Sequence, residues 1–192
     1  MSWKDADIKQ EDSLAGREDL KIDQIISSCK EGDERGQKLL YEKYKDALFN
    51  LAYRITGSET EAEHILQDSF LDIFKSIDRF RAESGIYSWM RSIVVRKSTH
   101  FTRSNKWKWT SYEESAGENG VIPPPSTDGS ELMETLQQLP KGFRTILILY
   151  YVENYSHEQI SNELGINIGT SKSQLHRAKK RLKELILEKK KS

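Results

Sequence analysis

Apolar side chains recur along this chain at intervals of three and four residues, the spacing that gathers them on one face of a helix. Leu20 to Lys30 carries a short stripe of Ile22, Ile25, Ile26 and Cys29. Lys38 to Thr56 carries a longer one, with Leu40, Tyr44, Leu48, Leu51 and Ile55 facing inward. Thr56-Gly57-Ser58 breaks the chain, and Ser58 followed by Glu61 has the form of a capping box that opens a helix striped by Ala62, Leu66, Phe70, Ile73, Ile77 and Phe80. After a turn at Arg81 to Gly85, Ile86, Trp89, Met90, Ile93, Val94 and Phe101 keep helical spacing, although Ile93-Val94-Val95 alone would suit a strand. The predicted fold class is all-α.

The pattern stops between Ser104 and Ser130. Pro123-Pro124-Pro125, three glycines and scattered acids make a composition with too little apolar surface to order its own backbone, so this stretch reads as a flexible linker. Fully extended at about 3.3 Å per residue it would reach on the order of 80 Å. Helical spacing resumes with Leu132, Leu136 and Leu139, then Pro140 at a helix start ahead of Phe143, Ile146, Leu147 and Tyr150. The expectation is two small helical domains on a tether, with a mobile leader before residue 20 and no internal repeat.

Tyr155 to Leu185 is the most specific segment. Ser156 with Gln159 is a capping box, Ile160 and Leu164 are the buried positions that follow, Gly165 closes the helix, and Asn167 can cap a second one. On that second helix Leu175, Ala178, Leu182 and Leu185 share one stripe while Ser173, His176, Arg177, Lys180 and Lys183 point away from it. Two capped helices joined by a glycine turn, the second with a cationic outer face, form a helix-turn-helix. A charge run alone would more often be an ordinary solvated face; the paired caps favour a DNA-facing helix.

Formal net charge is +0, from 30 basic and 30 acidic residues, but the signs are segregated. Ile86 to Thr110 holds Arg91, Arg96, Lys97, Arg103, Lys106 and Lys108 with no acid, and Ser111 to Glu134 holds only acids. Two basic blocks flanking an acidic spacer imply two DNA-facing surfaces. A lone Cys29 permits no internal disulfide, and the longest apolar run, Ile146 to Val152, is too short for a bilayer, so a cytoplasmic protein without membrane insertion is expected. No phosphate-cradling glycine motif is present, and His64, His100, His157 and His176 lack metal-ligand spacing. These observations imply no enzyme activity, no cofactor and no metal.

The two halves together resemble the sigma-70 family of RNA polymerase sigma factors, specifically the extracytoplasmic-function (ECF) type that keeps only regions two and four. EAEHILQDSFLDIF from Glu61 to Phe74 is similar to the family's core-polymerase-binding motif, and FRAESGIYSWMRSIVVRK from Phe80 to Lys97 to its promoter-melting segment. LPKGFRTILILYYVENYSHEQIS and GTSKSQLHRAKKRL are similar to the region that reads the upstream promoter element. The resemblance implies a leader at 1–19, region two at 20–105, the linker at 106–129, region four at 130–188 and a basic tail at 189–192. It implies as partners core RNA polymerase, through the clamp helices of its largest subunit, promoter DNA in double- and single-stranded form, and an anti-sigma factor.

Candidate site residues follow from both readings. For polymerase, Glu61, His64, Gln67, Asp68 and Asp72 surround an outward Leu71, an acidic face with an apolar centre that suits a protein partner as well as it suits plain solvent. For the downstream element, Arg81, Ser84, Tyr87, Arg91, Arg96 and Arg103 mix an aromatic ring with cations, as opened single-stranded DNA requires. Trp89 lies near the apolar stripe and reads as core, while Trp107 and Trp109 could either stack on bases or cover a core edge. For the upstream element, Lys172, Ser173 and His176 are placed to read bases, with Arg177 and Lys180 on phosphate and Thr170 also on the DNA side. Arg96 stands where the family pattern has asparagine, and Ser171 where it commonly has valine, which implies slightly looser packing. Two other classes stay open at this point: a free-standing helix-turn-helix regulator, and a helical decoy that binds only protein.

Overall fold

The computed structural model describes residues 21–83, 85–104 and 129–189. The leader, the linker, Trp107, Trp109 and Ser84 lie outside the described residues, as does the Arg103 side chain. Among the described residues every regular element is helical.

The first group begins with α1, residues 21–30, and α2, Glu34–Thr56. The second helix starts a turn earlier than the apolar pattern predicts, because the Asp33 carboxylate accepts from the Arg35 and Gly36 amides. Gly36 hides this start in the sequence. It is buried in the crossing of the two helices, where an added Cβ would lie 2.5 Å from that of Ser28. Cys29 is buried beside Ile26 in the same place.

Helix α3 spans Glu59–Ser76 and runs into a single 3-10 turn, Ile77–Arg79. Its cap is half of the predicted box. Ser58 Oγ accepts from the Glu61 amide, but the Ser58 amide donates to Thr56 Oγ1, and the Glu61 carboxylate lies 3.5 Å from Lys141 instead of turning back. Helix α4, Ile86–Ser104, contains Ile93, Val94 and Val95 as helix, because Met90, Val94 and Val95 are all needed in the core against α2 and α3.

The second group comprises α5 (Gly129–Gln137), α6 (Lys141–Leu147), α7 (His157–Leu164) and α8 (Ile168–Lys189). Helix α6 continues into a wider turn, Ile148–Val152, in which the Glu153 amide bonds the Ile148 carbonyl five residues back. Asn154 then takes a left-handed φ of 55° and redirects the chain into α7. Leu175, Ala178, Leu182 and Leu185 of α8 are buried among α5, α6 and α7, as the stripe predicts.

The two groups are also packed on each other, α6 against α2 and α7 against α4. The principal bolt is Arg144, only 4% exposed, whose Nε and Nη2 donate to the Ile55 and Thr56 carbonyls at the end of α2 while Nη1 reaches the Gln137 carbonyl and Oε1. Helix ends leave such carbonyls without partners, and they carry negative partial charge, so a cation fits there. Gly57, at φ 74°, ends α2 and leaves the space: a Cβ there would come within 2.6 Å of Arg144 Nη2.

One prediction follows from this joint. Gly57→Ala should lower unfolding free energy by about 2–3 kcal/mol, combining a disfavoured left-handed alanine with displacement of Arg144. Urea denaturation followed by circular dichroism measures it; a change below about 0.5 kcal/mol, the scale of an ordinary surface substitution, would contradict the steric account.

Candidate polymerase and nucleic-acid interfaces

Helix α3 presents His64, Gln67, Asp68, Leu71 and Asp72 to solvent on the side opposite Ile65, Leu66, Phe70 and Ile73. Leu71 is 57% exposed amid polar neighbours. Two carboxylates of this face have cationic partners from other helices: Asp72 lies 2.7 Å from Lys97 of α4, and Glu61 reaches Lys141 of α6. The Lys97 bond holds the Asp72 carboxyl below its usual range. The acidic face is thus fixed at both ends and open in the middle.

The downstream candidates are dispersed. Arg81 and Arg96 are exposed. Tyr87 is partly exposed and stacks on Tyr44 with centroids 5.8 Å apart. Trp89 is half-buried: one side packs on Phe80 and the core, as the sequence reading has it, but it also lines an open groove and so is not wholly core. Arg91 faces the second group, with Nη1 3.2 Å from Glu153 Oε2 and its guanidinium over the Tyr155 ring at 5.8 Å.

A groove of about 430 Å³ between the end of α3 and α4 is lined by Lys75, Arg79, Arg96 and Lys97, with Trp89, Ile93, Ser76 and Asp72. It joins Arg96 to two cations that sequence analysis did not place on this surface. Lys75 and Arg79 sit four residues apart at the carboxyl end of α3, and that spacing was the available signal. A cationic groove with an indole wall can follow phosphates and contact a base. Arg81, Tyr87 and Arg91 are not part of its lining.

The helix-turn-helix forms as its letters predict. Both halves of the Ser156 box are made: the Gln159 amide donates to Ser156 Oγ at 3.2 Å, and the Ser156 amide to Gln159 Oε1 at 2.8 Å. Gly165 adopts φ 64°, and Asn167 Oδ1 accepts from the Thr170 amide at 2.7 Å. Lys172, Ser173 and His176 are exposed along α8, and Thr170, Arg177 and Lys180 are half-exposed beside them. Ser171 is wholly buried, and its hydroxyl meets His157 Nδ1 at 2.9 Å, so the position that implied looser packing carries a hydrogen bond between α7 and α8. Burial, and secondarily the Lys172 charge, lower the His157 pKa.

Among the described residues no group of three His, Cys, Asp or Glu side chains is placed to hold a metal, and no helix is long and apolar enough to cross a membrane. Among the described residues the arrangement is all-α, and a helix-turn-helix whose second helix turns its cations outward defines a DNA-binding protein.

Comparison with known proteins narrows the class. The family model "Sigma-70 region 2" matches residues 40–108, and "Sigma-70, region 4" matches 130–182. The ECF RNA polymerase sigma factor SigW of Bacillus subtilis is 29% identical over 181 residues, covering 86% of this chain and 97% of the relative. The RNA polymerase sigma-H factor of Pseudomonas aeruginosa is 25% identical over 171 residues, covering 81% and 89%. In fold, the chain is similar to the sigma factor RpoE from a co-crystal with the anti-sigma factor NepR from Bartonella quintana, at a TM-score of 0.52 and 24% identity, over 78% of this chain and 95% of that one. The chain belongs to the sigma-70 family, in its ECF group.

The partly exposed His157 gives a prediction with a defined sign. Its folded-state pKa lies below the ordinary 6.5, so the unfolded chain takes up the proton first on acidification. This contribution to stability is complete above that value and is lost as pH falls through it. Melting temperatures from about pH 8 to about pH 5 should therefore fall less steeply for His157→Gln than for the wild type. Parallel curves would show that the imidazole is solvated equally in both states.

Proposed function

We propose that this chain is a dissociable initiation subunit that binds core RNA polymerase and directs it to a promoter with two elements. Helix α3 docks through His64, Gln67, Asp68 and Leu71, with Glu61 and Asp72 at its margins, on the clamp helices of the largest subunit. Helix α4, the Arg81–Gly85 loop and the Lys75–Arg96 groove take the melted downstream element. Helix α8 reads the upstream element through Thr170, Lys172, Ser173 and His176, with Arg177 and Lys180 on phosphate. The domain boundaries at 20–105 and 130–188 follow the same division. Bond-making chemistry belongs to the polymerase; this chain supplies address and strand opening, and it works in the cytoplasm with the template.

The observation that carries this reading is the presence of both family regions, in order, on one chain whose recognition helix keeps its cationic face outward. A stand-alone regulator would not need the acidic α3 face, and a protein-only decoy would not need the exposed cations of α8. An anti-sigma factor is a further expected partner, competing for these same surfaces.

The deciding experiment adds the purified chain to sigma-free core polymerase with a promoter library. Promoter-specific transcripts are expected, and their absence would overturn the proposal. Gln67→Ala combined with Asp68→Arg should abolish capture by core enzyme while leaving helicity unchanged. Arg177→Ala should weaken promoter binding about equally on all sequences, because a phosphate contact carries no base information; loss of discrimination at one base pair would place it on a base instead.

A further inference from the structure

Four of the side chains lining the groove between the end of α3 and α4 are cations, and part of its wall is an indole. Its volume of about 430 Å³ suits one unpaired nucleotide. Trp89, Ile93 and Arg96 are spaced four and three residues apart, so they share one face of α4. Helical side chains lean toward the amino end of their helix, so Arg96 reaches back over Ile93 toward the indole. A base laid on the Trp89 and Ile93 wall turns its edge to that guanidinium.

We propose that this groove holds one unpaired base of the melted element and that Arg96 selects guanine there. The inference rests on the reading that the groove takes the opened strand, and adds which base is chosen and by which side chain.

The choice follows from the donors and acceptors of the lining. Lysine and arginine side chains only donate. The two acceptor side chains are engaged: the Asp72 carboxylate lies 2.7 Å from Lys97 Nζ, and the Ser76 hydroxyl donates to the Asp72 carbonyl. Lys97 is committed by the same pair. Among the described residues the exposed Arg96 guanidinium has no hydrogen bond or ion pair, so its fork is open to a ligand. Guanine carries two adjacent acceptors, O6 and N7, on one edge, which match that fork. Adenine and cytosine bring an amino donor to the same edge, and donor then meets donor; thymine offers O4 alone. Arg79 is a fork as well, but it comes from the end of α3 and not from the face that carries the indole. With Lys75 it is left for the flanking phosphates.

Fluorescence anisotropy of the full chain with labelled single-stranded oligothymidines, each carrying one guanine, adenine or cytosine or none, reads the choice at fixed ionic strength. The wild type is expected to bind the guanine strand about tenfold more tightly than the adenine or cytosine strand. Arg96→Gln should move the preference to adenine, whose N6 and N7 pair with an amide. Arg96→Lys should keep most of the affinity and lose the preference, because an ammonium carries the charge without the fork. Both replacements are good helix formers at an exposed position, and circular dichroism checks that helicity is unchanged. Arg79→Lys should leave the guanine preference intact. Equal binding or no binding of the four strands by the wild type, a guanine preference that survives Arg96→Gln, or one that disappears with Arg79→Lys would overturn the proposal. Transcription with core polymerase is read separately. Promoter-specific transcripts without a guanine preference in the groove overturn this inference and leave the initiation reading standing, whereas a guanine preference without transcripts counts against that reading alone.

Discussion

A guanidinium seated on the open end of a helix decides how the two halves of this molecule meet. The last carbonyls of α2 have no amide to accept from, because Gly57 turns the chain away in the left-handed conformation. Arg144 supplies the missing donors from another part of the chain, more than eighty residues away in sequence. A planar, permanently charged fork can meet the Ile55, Thr56 and Gln137 carbonyls together, which a lysine ammonium on a flexible stem would do poorly. The α2 terminus, the α5–α6 turn and the angle of α6 are all tied to one side chain. The rest of the contact, from Lys141 to Glu163, lies around it.

Much of this architecture is legible without coordinates because it depends on neighbours in the chain. The Ser156 box, the Gly165 stop and the Asn167 cap are all interactions across three or four residues, and each is visible as a pair of letters at fixed spacing. The stripe on α8 has the same local origin. Where the reading needed correction, a distant partner had intervened. Glu61 leaves the box with Ser58 and turns its carboxylate to Lys141, eighty residues on. Nothing within a few residues of Arg144 shows that α2 ends against it, so its sequence neighbourhood gives no sign of its burial. Arg91 reads as a DNA contact for the same reason: its local helix face is basic, and Glu153 lies sixty residues on, after the linker.

The groove between α3 and α4 shows the opposite effect, in which packing assembles a surface that the sequence disperses. Lys75 and Arg79 belong to one predicted element and Arg96 and Lys97 to another, and only the antiparallel meeting of the two brings four cations round Trp89. Asp72 tempers that field by holding Lys97 at 2.7 Å, leaving Arg96 as the exposed cation of α4 at the groove. On the resemblance drawn from the sequence, Arg96 takes the place of an asparagine. A guanidinium at that position donates a planar fork and accepts nothing, whereas an amide does both, so the chemistry offered to a base differs in kind as well as in charge.

Packing of the two groups also divides the candidate surfaces into those left open and those engaged between the groups. His64, Gln67, Asp68 and Leu71 stay exposed on α3, and Lys172, Ser173 and His176 stay exposed on α8, while Arg91 and Glu61 are engaged between the groups. The centre of the acidic face is therefore open to solvent with the two groups packed together. Glu61 at its margin is held by Lys141 in an exposed ion pair that is screened by salt and contributes little. The Arg91 pair is next along the same contact, buried but poorly hydrogen-bonded. A weak contact at the edge and a poorly hydrogen-bonded pair inside make this a joint held mainly by Arg144, while Arg81, Arg96 and the α3–α4 groove stay exposed beside it.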